Sequence, residues 1–329
     1  MTAHPVGVLY VAGRRETAVA QPDLLEDTMT SVTLDPGGSA SVQLDRRTVV
    51  FAWLLTLVLS SLPAIVAVEL TGVRPAAAHW STLVAVLPLS AVAWRWRPAR
   101  PLLPYLLVMV IVFCVAYLLL PLLGGWIGGG GSDLSRAFYN KAIFVLVAAI
   151  VASLLVQKLG MTASQAFLTR GNMAAPSGAR LPGTSRQASW ASLGPIAAVA
   201  LLASLATVTY SDAGLEPTAL DRLVASLPLV VGCAAFNALG EEVVYRSGPL
   251  ATLVGVVGSR HAVLLTSVWF GLAHYFGSVP EGFGGVLQSG LLALLLGSAM
   301  VATKGLGWPF LLHFTVDLVV FASIAVVGT

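Results

Sequence analysis

Apolar runs occupy most of the sequence after Val49, at about 48–69, 80–94, 102–123, 139–157, 191–209, 223–255, 261–276, 285–303 and 306–327. Roughly 20 apolar residues cross a bilayer core as a helix, and a helix satisfies its own backbone polar groups there. The pattern therefore predicts an all-α fold, a polytopic transmembrane helical bundle of about eight or nine helices. Composition excludes the main alternative. Only 10% of the 329 residues are Asp, Glu, Lys or Arg, where a soluble domain carries about 25%, so a soluble globular enzyme is ruled out. The net charge of +3 and pI near 9.0 do not indicate nucleic-acid binding, because the basic residues flank apolar runs instead of forming a patch. Cys114 and Cys233 sit inside apolar runs, without the spacing of a disulfide framework or a thiolate metal site.

The chain divides into four parts. Residues 1–46 mix Pro, Gly, Ser and Asp and form an N-terminal extramembrane tail, with no short apolar core and cleavage site of a removable signal peptide. Residues 47–157 hold four apolar runs and form an N-terminal four-helix membrane portion. Residues 158–190 carry Ser, Gly, Pro and Arg without hydrophobic periodicity and read as a polar linker. Residues 191–329 form a C-terminal helical bundle. Arg46 and Arg47 precede the first run, Arg95, Arg97 and Arg100 follow the second, and Lys158, Arg170, Arg180 and Arg186 follow the fourth. The bias of Lys and Arg toward the cytoplasm places the N-terminus inside. Fifteen Arg against three Lys in an Ala-, Gly-, Val- and Leu-rich chain resembles high-GC bacterial coding, which points to a bacterial plasma membrane.

Most acidic residues lie in the tail, loops and span ends, but Glu241, Glu242 and Asp317 do not, and His274 and His313 are also embedded in apolar runs. A charged side chain at a helix centre costs about 2.5–3.5 kcal/mol on insertion scales, so ionisable residues inside spans are functional by default. In Glu241-Glu242-Val243-Val244-Tyr245-Arg246, Glu242 and Arg246 are four apart on one helix face, where they form a structural ion pair. Glu241 lies about 100° around the helix and is free of that pair. Phe270-Gly271-Leu272-Ala273-His274 ends one run with an imidazole one turn from an aromatic ring. His313 and Asp317 are four apart, so the pair either ligates one metal or the Asp fixes the imidazole tautomer.

A reversal near residue 257 would place Glu241 about 16 residues before the turn and His274 about 17 after it, each roughly 25 Å from the turn and so level. The last helix starts near Gly305 on the same side, bringing His313 and Asp317 to the same zone. The expectation is a polar cavity that joins Glu241, His274, His313 and Asp317 on the last four helices. Such a set suits water activation, with a general base and imidazoles that bind a metal or stabilise an oxyanion.

These residues resemble the motifs of the CAAX protease and bacteriocin-processing family, the CPBP intramembrane proteases also called Abi proteins, which include the type II CAAX prenyl proteases. The family is marked by Glu-Glu-x-x-x-Arg, then Phe-x-x-x-His, then His-x-x-x-Asn or Asp, and residues 241–246, 270–274 and 313–317 match in that order. The resemblance covers roughly residues 225–325. It implies an intramembrane endopeptidase in which Glu241 activates water, His274 and His313 stabilise the oxyanion or ligate metal, and Asp317 stands in the family's Asn or Asp position. Glu242 and Arg246 carry over as the structural pair. One departure is Ser247 where the family has Gly; Gly248 follows, which shifts the helix exit by one residue.

The family includes members described as metalloproteases and as metal-free glutamate proteases. The zincin His-Glu-x-x-His spacing is absent here, and the favoured reading has no cofactor; a zinc ion would fall to His274, His313, Asp317 and Glu241. The partners implied are a peptide or membrane-protein substrate and the lipid bilayer, with no nucleic acid; oligomeric state is open. The competing readings are a proton-coupled transporter or channel relaying protons through the buried Glu, His and Asp, and a non-catalytic membrane scaffold. No repeat relates the two halves, which counts against the transporter plan.

Overall fold

The computed structural model describes residues 45–73, 75–119, 132–180, 185, 187–211, 216–277 and 281–327. The expected tail up to residue 44, the glycine run 124–131, Arg186 and Asp212 lie outside the described residues. The helices are α1 Arg46–Leu59, α2 Leu62–Thr71, α3 Pro75–Arg95, α4 Leu103–Phe113, α5 Asp133–Ser153, α6 Trp190–Tyr210, α7 Ala219–Glu242, α8 Gly248–Ala273, α9 Gly282–Thr303 and α10 Gly307–Val327. The fold is an all-α polytopic bundle, as the apolar runs require. Its described strands are β1 Pro176–Arg180 and β2 Gln187–Ser189, an antiparallel pair.

Five helical segments are long and apolar enough to cross a membrane: Asp133–Lys158, Trp190–Tyr210, Ala219–Ala273, Gly282–Thr303 and Gly307–Val326. The chain is a multi-pass membrane protein. The first apolar run is not one straight helix, since α1 and α2 meet at 49° across Ser60 and Ser61, with Pro63 opening α2. A sharper bend of 119° separates the end of α3 from the segment Arg97–Phe113, where three prolines fall between 98 and 104. Pro removes a backbone donor and its ring clashes with the carbonyl four residues back, so bends concentrate there.

Ala219–Ala273 spans 55 residues, too long for one crossing. Gly258 breaks it, with φ 75° and ψ 157°, a conformation open to glycine and costly for other residues. The chain folds back at that point: Tyr245 meets Trp269 and Phe270 at ring-centroid distances of 5.0 and 5.3 Å, although 24 residues of continuous helix would hold them about 36 Å apart. The reversal at Gly258 lies one residue from the turn considered near residue 257, between the apolar runs 223–255 and 261–276.

The main apolar core runs through both halves, joining Phe51, Leu55, Met109 and Val151 to Val244, Leu250, Leu253 and Trp269. α10 packs on α7 and α6, α9 on α8, and α5 on α7. α6 contributes little to this core: only 6% of its apolar window is buried inside the protein, and Ile196, Val199 and Val208 are exposed, as suits a helix facing lipid.

The described residues of 158–190, a stretch expected as a polar linker, are docked against the bundle. Ala166, Phe167, Ala175 and Ala188 are buried, and Leu306 and Gly307 donate backbone hydrogen bonds to Thr169 and Arg170. Gly171, at φ +73°, and Gly305 lie so close that a Cβ on either would collide with the other segment's backbone. The docking was hidden because it runs through backbone groups and glycines, which leave no hydrophobic pattern.

Candidate active site

Four helices and one irregular turn bring the buried charges together. α7 and α10 pack along each other, so Asn237, Glu241 and Glu242 at the end of α7 face His313 and Asp317 in the middle of α10. All five are buried, with Glu242 at 0% exposure and Glu241 at 8%. After Glu242 the helix widens: Val243–Ser247 form a π-helical turn, closed by the Gly248 N–H bonding to the Val243 carbonyl five residues back. Pro249 has no N–H to offer the Tyr245 carbonyl, which disfavours an ordinary α-turn here, and single π-turns are frequent at functional sites. The turn ends at Ser247 and α8 begins at Gly248. Ser247 Oγ donates to the Ala166 carbonyl at 3.0 Å, so the residue that departs from the family pattern ties the site to the docked 158–190 segment.

Within the π-turn, Arg246 Nη1 donates to Glu242 Oε1, and neither side chain reaches solvent. The Arg246 guanidinium also lies 4.1 Å from the centre of the Phe270 ring, a desolvated cation–π contact. Glu242 does more than pair with Arg246: the same Oε1 is 2.7 Å from His313 Nδ1. A carboxylate only accepts, so Nδ1 carries a proton and its partner nitrogen, Nε2, faces the other carboxylates.

His313 Nε2 stands 3.6 Å from Glu241 Oε2 and 3.6 Å from Asp317 Oδ2. This corrects one of the two roles open for Asp317: the His313 tautomer is set by Glu242 at Nδ1. Asp317 is itself held by Asn237, whose Nδ2 donates to Asp317 Oδ2 at 3.0 Å. Glu241 Oε2 is buried without a hydrogen-bond partner among the described residues, while Glu241 Oε1 lies 3.8 Å from Lys141 Nζ on α5.

His274 caps the end of α8 beside the Phe270 ring. The imidazole centroids lie 4.3 Å (His274) and 6.0 Å (His313) from the centre of that ring. The Phe270 carbonyl accepts from His274 Nδ1 at 2.8 Å, which leaves Nε2 as the lone-pair nitrogen of the neutral ring. The turn after His274 is pinned by Tyr275, whose hydroxyl donates to Glu69 on α2.

Glu241 and Asp317 thus both meet His313, and His274 stands beside Phe270, the ring that His313 also contacts. Lys141 and Asn237 also belong to the cluster and were absent from the sequence reading. A lysine near the start of an apolar run reads as an interfacial charge, and a neutral amide raises no alarm in a hydropathy profile. The signal that could have found Asn237 is its spacing, since it precedes Glu241 by one helical turn and shares its face.

Among the described residues no three His, Cys, Asp or Glu side chains are grouped to hold one ion. Nδ1 of each imidazole donates to an oxygen of the protein, which leaves Nε2 as the nitrogen open to a ligand or substrate.

No curated protein and no solved structure matches the chain. A family model does match, over residues 223–319, a segment that opens in α7, contains all three motifs and closes two residues past Asp317. That segment, and with it the whole set of buried carboxylates and imidazoles on α7, α8 and α10, is similar to the type II CAAX prenyl endopeptidases, Rce1-like, the family that the three motifs indicate.

Proposed function

We propose that the chain is an intramembrane endopeptidase that hydrolyses a peptide bond in a peptide or membrane-protein substrate with water activated by Glu241. The observation that carries the reading is the buried Glu241 Oε2, which has no hydrogen-bond partner among the described residues and lies 3.6 Å from His313 Nε2. A buried carboxylate oxygen left without a donor is costly in a structural role and is what a general base needs if it is to accept a proton from bound water.

In this mechanism Glu241 takes a proton as the water oxygen attacks the scissile carbonyl carbon. His313 is held through Nδ1 by Glu242, and an N–H at Nε2 donates to the developing oxyanion. The tetrahedral intermediate collapses, the C–N bond breaks, and Glu241 returns its proton to the leaving amine. Asp317, oriented by Asn237, stabilises the positive His313 ring. His274 offers the Nε2 lone pair of a neutral ring, which suits accepting a proton from water or substrate; stabilising an oxyanion from that position would require the ring to be doubly protonated. In this reading the N-terminus is cytoplasmic, from the Lys and Arg that flank the apolar runs, and the cell is bacterial, from the Arg-rich, Ala-, Gly-, Val- and Leu-rich composition.

The test compares membrane peptides, by mass spectrometry of new chain ends, between cells producing the wild-type protein and cells producing Glu241→Gln at equal level. New ends confined to the wild type support the reading. Identical peptide sets, with both proteins folded in the membrane, sink it.

A further inference from the structure

One charge reaches the cluster from outside the segment that resembles the endopeptidase family. Lys141 lies on α5, eight residues or about 12 Å from the helix start, and its Nζ is 3.8 Å from Glu241 Oε1. A lysine at that depth is costly unless paired, and a long side chain can instead extend along its helix toward the headgroups. This one is directed at a carboxylate: its side chain is 30% exposed, against 11% for its partner.

The pairing separates two carboxylates that are otherwise alike. Glu241 Oε2 and Asp317 Oδ2 are equidistant from His313 Nε2, at 3.6 Å each. Asp317 Oδ2 already accepts from Asn237. Glu241 meets the ammonium through Oε1 and, among the described residues, keeps Oε2 without a donor. The charges acting on Glu241 come from every side: Lys141 on α5, His274 on α8, His313 and Asp317 on α10, and Arg246 in the π-turn. Of these, Lys141 is the cation next to Oε1, the oxygen that does not face His313.

We propose that Lys141 is a positioning residue for Glu241, holding Oε1 so that Oε2 is presented beside His313 and Glu241, not Asp317, acts on water. The inference rests on the reading of Glu241 as the base. It assigns a role in the site to α5, a helix outside residues 223–319.

The experiment uses the peptide identified by the comparison of wild type with Glu241→Gln, resynthesised with a fluorophore and quencher across the cut, and the full-length protein in proteoliposomes. Lys141→Met keeps most of the unbranched side chain and removes its charge. It should lower kcat about 100-fold, the scale of a misplaced reacting group, with KM unchanged, and Lys141→Arg should recover most of the loss. If wild type and Glu241→Gln do not differ in cleavage, the reading of Glu241 falls and takes this inference with it. If they differ but Lys141→Met has wild-type kcat, or raises KM alone, only the Lys141 assignment is overturned. Should Lys141→Met fail to accumulate, the double variant Lys141→Met with Glu241→Gln decides: a true pair predicts that it accumulates like Glu241→Gln alone, and failure of the double variant overturns the pairing.

Discussion

Two buried polar sites in this bundle differ in kind. Between α1 and α4, Thr56 donates to the Ala52 carbonyl at 2.8 Å and stands 2.8 Å from the Tyr105 hydroxyl, with both side chains at 0% exposure. Every group there is neutral and bonded. Between α7, α8 and α10, the buried groups are charged and their bonding capacity is not used up: Glu241 Oε2, Glu242 Oε2, Asn237 Oδ1 and Arg246 Nε and Nη2 have no hydrogen-bond partner among the described residues. The first arrangement joins two helices and stops. The second leaves acceptors and donors unused, at a cost in stability that the first does not carry.

The largest effect expected from this contrast is on folding. Removing one member of the Glu242–Arg246 pair leaves the other charge buried and uncompensated, which costs about 3–5 kcal/mol. Glu242→Ala and Arg246→Ala should therefore sharply reduce the folded protein recovered in detergent. Replacing both, Glu242→Leu with Arg246→Met, should restore much of the yield, because well-packed apolar side chains often match a buried ion pair. Equal recovery of the two single variants and wild type, by size-exclusion profile, would remove the distinction between the two sites.

Next comes the carboxylate beside that pair. Glu241→Gln keeps the shape and discards the base, so cleavage should fall about 10²–10⁴-fold while the folded yield stays near wild type. A matching loss of yield would place Glu241 in the same structural role as Glu242 and break the contrast within one helical turn.

The neutral site should give a small and purely structural response. Thr56→Val removes two buried hydrogen bonds, one within α1 and one to Tyr105, each worth about 0.5–1.5 kcal/mol in general and about 0.6 kcal/mol on average between membrane helices. The melting temperature in detergent should drop slightly, with kcat unchanged. A change in kcat would mean that the two sites are coupled through Tyr105 and Trp269, whose rings meet edge to face at 6.3 Å.

The charged cluster was legible in the sequence to the extent that its members break an apolar pattern. Glu241, Glu242, Arg246, His274, His313 and Asp317 each stand out because lipid-facing helices exclude them, and helical rise alone brings them level across a turn near Gly258. What stayed hidden depends on tertiary placement. Nothing in Val243–Ser247 announces a π-turn, which swings Arg246 over Phe270; the choice of Glu242 over Asp317 as the partner of His313 Nδ1 depends on how α7 and α10 are rotated about their axes. Lys141 is 100 residues from Glu241, and only the packing of α5 on α7 makes them neighbours. The bends at Ser60–Ser61 and after Arg95 were likewise missed, since hydropathy measures the length of a run and not its straightness.

The smallest expected effect concerns the part of the cluster where carboxylate and amide are interchangeable. Asp317 is held by Asn237 and stands 3.6 Å from His313 Nε2, while the ring itself is oriented from its other nitrogen by Glu242. In Asp317→Asn the side chain keeps its size and can still bond Asn237, and His313 retains both Glu242 and Glu241 as anionic neighbours. If the reaction runs on Glu241 and the imidazoles alone, kcat should change only a few-fold, on the scale of one hydrogen bond, and exhaustive chelation should leave it where it was. A metal held by His274, His313 and the carboxylates behaves otherwise, because an amide is a poor replacement for an anionic ligand and a chelator would strip the ion. Metal content and cleavage measured on the same purified samples separate the two: stoichiometric metal, with activity lost both on chelation and in Asp317→Asn and restored by added zinc in the wild type, would overturn the metal-free reading and turn Asp317 from a support of His313 into a ligand.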